Sequence, residues 1–231
     1  MTSKRYNKLP KSTKLNASES FDKLIPEIKK NCTTKFDESI DLNLQINNKQ
    51  KKGEISLRAV VNMPSGTGRK IKVAVVCEES KASEAKDAGA DIVGGEDFIE
   101  KIRDGNLDFE KLICSTGMMV KLSKLGKVLG PKGLMPNPKL GSVTNDLKKA
   151  VTEVKSGQVE IKNDKDGNIG LSIGKKSFSN DKLVKNYEAV FEVLDREKGN
   201  TTVTIKGDLI KRAYLTSTMG VSYKVKLHKS I

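Results

Sequence analysis

The sequence predicts an α/β chain: a split α+β domain with an antiparallel sheet, interrupted by an inserted three-layer α/β domain. Three observations carry this. Apolar and polar residues alternate near both ends of the chain, the middle switches to short apolar runs separated by helix-spaced stretches, and glycines mark both switches. The expected boundaries are 1–66 with 158–231 for the split domain and 67–157 for the insert. Gly66, Gly68 and Gly157 are expected to form a double-stranded hinge.

Each element has its own reason. Residues 1–17 are polar and Lys-rich and read as a loosely held arm. Phe21, Leu24, Ile25 and Ile28 follow at i, i+3, i+4 and i+7, one face of a helix. With Asp22 as N-cap, Pro26 would fall among the first backbone N–H groups, which have no intrahelical partner. Ile40, Leu42, Leu44 and Ile46, then Ile55, Leu57, Ala59, Val61 and Met63, show the period of two that gives a strand one buried and one wet face. The polar stretch 47–54 reads as their connection.

In the middle, Val73-Ala74-Val75-Val76-Cys77 is apolar throughout, as a parallel strand covered on both faces must be. A helix near 81–88, a strand at 91–93, a helix near 96–104 and a strand around 112–114 continue the alternation. A helix near 145–155 closes the insert, with Asn145 as N-cap and Leu147, Val151 and Val154 on one face. Beyond Gly157, Val159 and Ile161 are expected to meet Ile169, Leu171 and Ile173 across a hairpin turn at 164–168. An amphipathic helix carries Leu183, Val184, Tyr187, Val190, Phe191 and Leu194, and strands are expected near 201–206, 212–218 and 221–227.

Charge and composition narrow the function. Of 231 residues, 36% are hydrophobic and 31% charged, and 43 Lys plus Arg against 29 Asp plus Glu give a net +14. Such a chain attracts polyanions, nucleic acid first and anionic membranes second. Residues 67–158 hold 16 basic and 13 acidic groups, a net +3, which leaves 27 basic and 16 acidic groups, a net +11, to the ends. The split domain is therefore the better candidate for the main nucleic-acid surface. No stretch has the apolar length to span a bilayer, no basic amphipathic helix with large apolar anchors points to a membrane surface, and the basic N-terminus lacks the apolar run of a signal peptide. The chain is expected to be cytoplasmic.

Catalysis finds little support. His228 is the sole histidine, near the C-terminus, and Cys32, Cys77 and Cys114 are widely spaced, so no metal site, disulfide framework or cofactor is expected. The rival reading is a nucleotide-binding enzyme using the inserted domain. Gly66-Thr67-Gly68-Arg69-Lys70 lacks phosphate-loop spacing and precedes a strand, and Gly94-Gly95 lacks a dinucleotide fingerprint.

Three segments fit RNA better. Lys124–Gly141, KLGKVLGPKGLMPNPKLG, has four glycines and three prolines. The surrounding 115–145 carry five lysines, Lys121, Lys124, Lys127, Lys132 and Lys139, and no acid. Glycine permits close backbone approach to phosphate, proline fixes shape and lysine supplies charge, although a solvated loop would look the same. Lys35-Phe36 at a helix-to-strand junction can pack against ribose while the charge meets phosphate, or Phe36 can be core. Thr216-Ser217-Thr218-Met219-Gly220 offers hydroxyls and exposed backbone near a strand end, or is a Thr-rich edge strand. With aromatics at 4%, folded RNA shape rather than a track of stacked bases is the expected target.

GLMPNPKLG preceded by KLGKVLGPK, together with KFDES, MPSGTGR, AGADIVGG, KNDKDGNIGLSIGKKSF and the terminal STMG, resembles the bacterial ribosomal protein L1 family over most of the chain. The resemblance implies a split domain with a Rossmann-like insert and no enzymatic activity. It implies a part of the large ribosomal subunit that binds 23S rRNA stalk helices, acts in movement and release of exit-site tRNA, and represses translation of its own mRNA. Its RNA surface would map to Lys35, Phe36, Lys162, Asp164, Thr216, Ser217, Thr218, Met219 and Gly220, with the five lysines of 121–139 as a secondary contact loop. Where that family usually has Pro after Met-Gly, this chain has Val221.

Overall fold

In the computed structural model, which describes residues 4–9, 19–47, 57–200 and 208–227, the alternation after Glu38 becomes strand β1, Ser39–Ile46. Its Ile40, Leu42, Leu44 and Ile46 are all buried. Side chains of 139 and 198–200, and the expected Ile55, loop 48–54, strand at 201–206 and His228, lie outside the described residues.

Two compact units result, one from the chain's ends (through Gly68 and from Val159) and one from Arg69–Gln158. In the first, β1 is central in an antiparallel sheet of order β7-β1-β8-β9, with β7 at Asn168–Lys175, β8 at Ile210–Ser217 and β9 at Ser222–Val225. Its inner face packs on α2, Phe21–Asn31, and α8, Asn180–Asn200, where Phe21 and Tyr187 stack with ring centroids 3.9 Å apart. Each large aliphatic side chain buried there contributes roughly 1.5–3 kcal/mol.

Four expectations for this unit change. Ser20, not Asp22, precedes α2, so Pro26 is inside the helix and removes the bond its N–H would have made one turn back. The arm is partly held: α1, Lys4–Asn7, is followed by buried Leu9. The turn at 164–168 forms, yet β6, Gln158–Lys162, pairs with β2, Arg58–Asn62, in a separate two-stranded sheet, while β7 joins β1. The alternation of Ile169, Leu171 and Ile173 marks an inward face but not a partner, and the eight-residue β1 offers a longer ladder than five-residue β6. The split domain is therefore not one sheet.

The second unit has a parallel sheet of order β4-β3-β5, with β3 at Val73–Val76, β4 at Ile92–Gly94 and β5 at Lys111–Cys114. Ala74 and Val76 face a core with Ile102 of α4 (Glu96–Arg103), Leu122 of α5 (Met119–Ser123) and Leu129 of α6 (Gly126–Leu129). Val73 and Val75 face the opposite core with Ala85 of α3 (Ala82–Asp87) and Leu147, Val151 and Val154 of α7 (Leu147–Ser156). This is a three-layer unit, and the α/β class read from the sequence holds. Asp146 rather than Asn145 caps α7, accepting the Lys149 N–H at 3.2 Å. Asn145 instead contacts the Thr116 hydroxyl at 3.1 Å. Cys32, Cys77 and Cys114 are buried free thiols.

Candidate nucleic-acid interface

Because side chains alternate along a strand, burying Ile40, Leu42 and Leu44 turns Asp41, Asn43 and Gln45 to the outer face of the four-stranded sheet. The register sets their neighbours. Ser172, Asp41, Thr216 and Ser222 form one row, Gly170, Asn43, Tyr214 and Lys224 the next, and Asn168, Gln45 and Arg212 a third. Of the residues expected to bind RNA, Thr216 stands in this polar strip, and the others of this unit lie toward its two ends.

At the Ser39 end of β1, the strip finishes in a knot around Glu38, which is fully buried. Its Oε1 accepts the Thr34 N–H at 3.2 Å and the Thr34 hydroxyl at 2.7 Å, and its Oε2 accepts the Met219 N–H at 3.1 Å. Burial alone would raise the carboxyl pKa, but these bonds and one from the Ser217 hydroxyl hold it below the ordinary range. Ser39 and Thr218 clasp each other, N–H to Oγ1 at 2.9 Å and N–H to carbonyl at 3.1 Å. Arg5 closes the far side, donating to the Met219 carbonyl at 2.6 Å and the Thr33 hydroxyl at 2.9 Å. Gly220 has no room for a side chain, since a Cβ would lie 2.2 Å from Ser217 Oγ.

This frame holds two apolar side chains in solvent. Phe36 is 53% and Met219 49% exposed, so Phe36 is not core. Lys35 is exposed beside it. The hydroxyls divide: Thr216 is half-buried on the outer face, Thr218 is engaged by Ser39, and Ser217 is buried and turned toward Glu38 and Cys32. Ser217 thus braces the knot from inside, while Thr216 and Thr218 lie nearer the surface.

Lys162 and Asp164 sit at the other end of the strip. From the Asp41 row to the Gln45 row is four residues, roughly 13 Å of strand. The Asp164 carboxylate takes the Asn168 N–H at 2.6 Å and the Asn168 side-chain amide at 3.1 Å, and these bonds, the backbone one foremost, lower its pKa. Its first role is to shape the turn. Beside it an open depression of about 770 Å³ is lined by Asn43, Gln45, Lys162, Asn168, Gly170 and Tyr214 among others.

In the second unit, the lysine-rich segment is not one open loop. Leu122, Leu125 and Leu129 are buried at helical spacing, which folds its first part into α5 and α6. Lys121, Lys124, Lys127 and Lys132 are exposed as a result, with Lys121 paired to Glu96. The side chain of Lys139 is outside the described residues.

The glycines of both crossings take left-handed backbone: Gly66 and Gly68 at φ 70° and Gly157 at φ 115°. The first crossing is anchored by Asn186, wholly buried on α8. Its amide accepts the Ser65 N–H at 3.0 Å and donates to the carbonyls of Gly66 at 2.9 Å and Ile173 at 2.8 Å.

Sequence reasoning missed Glu38, Arg5, Tyr214 and Asn186. Two left a signal. Glu38 continues the inward parity of Ile40 and Leu42, where an acid must be hydrogen-bonded to be buried, and Tyr214 shares the outward parity of Thr216. Arg5 and Asn186 left none, because their partners are far away in the chain.

A profile of the Ribosomal protein L1p/L10e family matches residues 28–221. Over 231 residues, all of both chains, this chain is 68% identical to the large ribosomal subunit protein uL1 of Pelagibacter ubique. It is 44% identical over 224 residues to the protein of that name from Thermosipho africanus, covering 96% of this chain and 95% of that one. With the Mycoplasma capricolum protein of that name it shares 42% over 225 residues, 97% and 98% of the two chains. Glu38, Met219, the lysine segment and all of the second unit fall within residues 28–221, and the chain belongs to the ribosomal protein L1p/L10e family.

Proposed function

We propose that this chain is a structural, RNA-binding component of the large ribosomal subunit, and that its main RNA surface is the polar strip and knot of the split unit. Its family is one of ribosomal proteins, not enzymes, and the relatives named above are large-subunit proteins. The observation that carries the site is the exposure of Phe36 and Met219 on a frame organised by one buried carboxylate. Large apolar side chains held out in water, beside hydroxyls and lysines, suit the ribose and minor-groove surface of folded RNA.

In this reading 1–66 with 158–231 form the RNA-binding domain and 67–157 the insert. Gly66, Gly68 and Gly157 form a hinge, and the lysines of 121–139 add electrostatic attraction. The target is 23S rRNA of the mobile side stalk, with exit-site tRNA and the chain's own mRNA as further ligands. Among the described residues, no helix is long and apolar enough to cross a membrane.

Nuclease protection tests this. Purified protein mixed with total cellular RNA should protect one structured fragment of large-subunit rRNA, with a second in its own messenger. Protection scattered over all RNAs in proportion to abundance would overturn it.

A further inference from the structure

We infer that the depression beside Lys162 takes a single unstacked nucleobase of the bound RNA, with Tyr214 as its stacking platform and Asn43 and Gln45 reading its edge. This rests on the proposed function and adds a base-specific subsite to it.

The strand register builds the receptor. Asn43 of β1 stands directly between Gly170 of β7 and Tyr214 of β8, and Gln45 follows two residues along, on the same face. Gly170 keeps the floor open: a Cβ there would come within 3.2 Å of Asn43 Oδ1, so a larger residue would press on the amide. The volume, about 770 Å³, is within the ~300–1,000 Å³ of small-ligand clefts.

The chemistry favours a base over bare phosphate. Among the described residues, the side chains of Asn43, Gln45, Lys162 and Tyr214 make no hydrogen bond or ion pair within the protein, so their donors and acceptors face the depression or solvent. An amide presents a donor beside an acceptor, the pattern that a base edge presents in reverse. Asp164 on the rim would repel a phosphate, yet it tolerates an exocyclic amine. Phosphates are instead met at its rim by Lys162, and beyond it by Arg212 directly opposite Gln45 and by Lys224 directly opposite Tyr214. Aromatic residues are too few for a track of stacked bases, but one ring serves one base. Positive charge around the strip and an acid within it define the occupant as an unpaired nucleotide of an RNA loop or bulge.

The test uses the full chain and the protected large-subunit rRNA fragment. Tyr214→Phe keeps the ring and should bind within about twofold of the original. Tyr214→Ala should weaken binding about tenfold or more. Asn43→Ala, at an exposed position, should weaken it less while leaving the thermal melt unchanged. Abasic replacement of each unpaired nucleotide in turn should reveal one position whose loss weakens the original protein about tenfold and the Tyr214→Ala protein no further. If Tyr214→Ala binds as tightly as the original, or no abasic position shows this coupling, the inference is wrong although the proposed function stands. If the unaltered chain does not prefer large-subunit RNA at all, that function fails and the subsite with it.

Discussion

Met219 hangs from Glu38: its backbone N–H donates to the buried Oε2 at 3.1 Å, although 181 residues separate the two. One carboxylate thereby ties the segment after α2 to the end of β8, and fixes where Phe36 and Met219 meet solvent. Glu38→Gln keeps the side chain's shape but sets an amide N–H₂ or a second-rate acceptor against the Met219 N–H. The variant should be less stable by about 1–3 kcal/mol in urea denaturation, and should bind RNA more weakly at temperatures where it is fully folded. Unchanged stability would mean the knot holds without the charge.

Acid should loosen this end of the molecule. The Glu38 pKa is lowered on folding, so its contribution is complete above the ordinary carboxylate range and is lost as pH falls through the folded value. Asp41, one row inside the strip, has the opposite sign. Burial raises its pKa despite the Ser172 hydroxyl and Lys175, so ionisation destabilises the fold as pH rises from the ordinary value through the raised one. Stability measured from pH 3 to pH 7 should therefore fall less on acidification in Glu38→Gln, while Asp41→Asn should be the more stable variant at neutral pH. Parallel pH profiles for both variants and the original would refute these assignments.

Asn186 is expected to be among the most sensitive polar positions. Asn186→Ala removes three hydrogen bonds and leaves the Ser65 N–H and two carbonyls unmatched where the side chain was wholly buried. The cost should be about 3 kcal/mol by denaturant titration. A cost under about 1 kcal/mol would show that water replaces the amide.

The lysines of the second unit should act through charge alone. Replacing Lys121, Lys124, Lys127 and Lys132 with Ala should lower affinity for matched and unmatched RNA by similar factors and flatten the salt dependence. Each lost phosphate contact removes roughly 0.7–0.9 from the slope of log K against log salt. A change in which RNA is preferred, at constant slope, would assign sequence reading to this segment instead.

Local pattern made the elements of this protein legible, and long-range pairing was not. The period-two run of Ile40, Leu42, Leu44 and Ile46 identifies β1 and both its faces, and hence the outward parity of Asn43 and Gln45. The apolar run at 73–77 marks the central parallel strand. What no local pattern contains is partner choice. The same inward parity fits β7 against β6 or β1, and only the assembled sheet selects β1. The α/β class could be read from the sequence, and of the candidate RNA residues Thr216 stands in the outer strip while Phe36 and Met219 meet solvent at the knot that ends it. Ser217 is the instructive exception. Its parity with Ala213 and Leu215 points inward, so among the run's three hydroxyls this one serves the interior.

The proposed RNA surface requires that the exposed pair on the Glu38 frame distinguish one RNA from others. The direct measurement is the affinity of Phe36→Ala and Met219→Ala for the protected large-subunit rRNA fragment and for an unrelated duplex of equal length, at one salt concentration. Each variant should lose about tenfold or more, near 1.4 kcal/mol, on the rRNA fragment, while affinity for the duplex stays within about twofold. Equal losses on both RNAs, or none on either, would place recognition elsewhere on the chain.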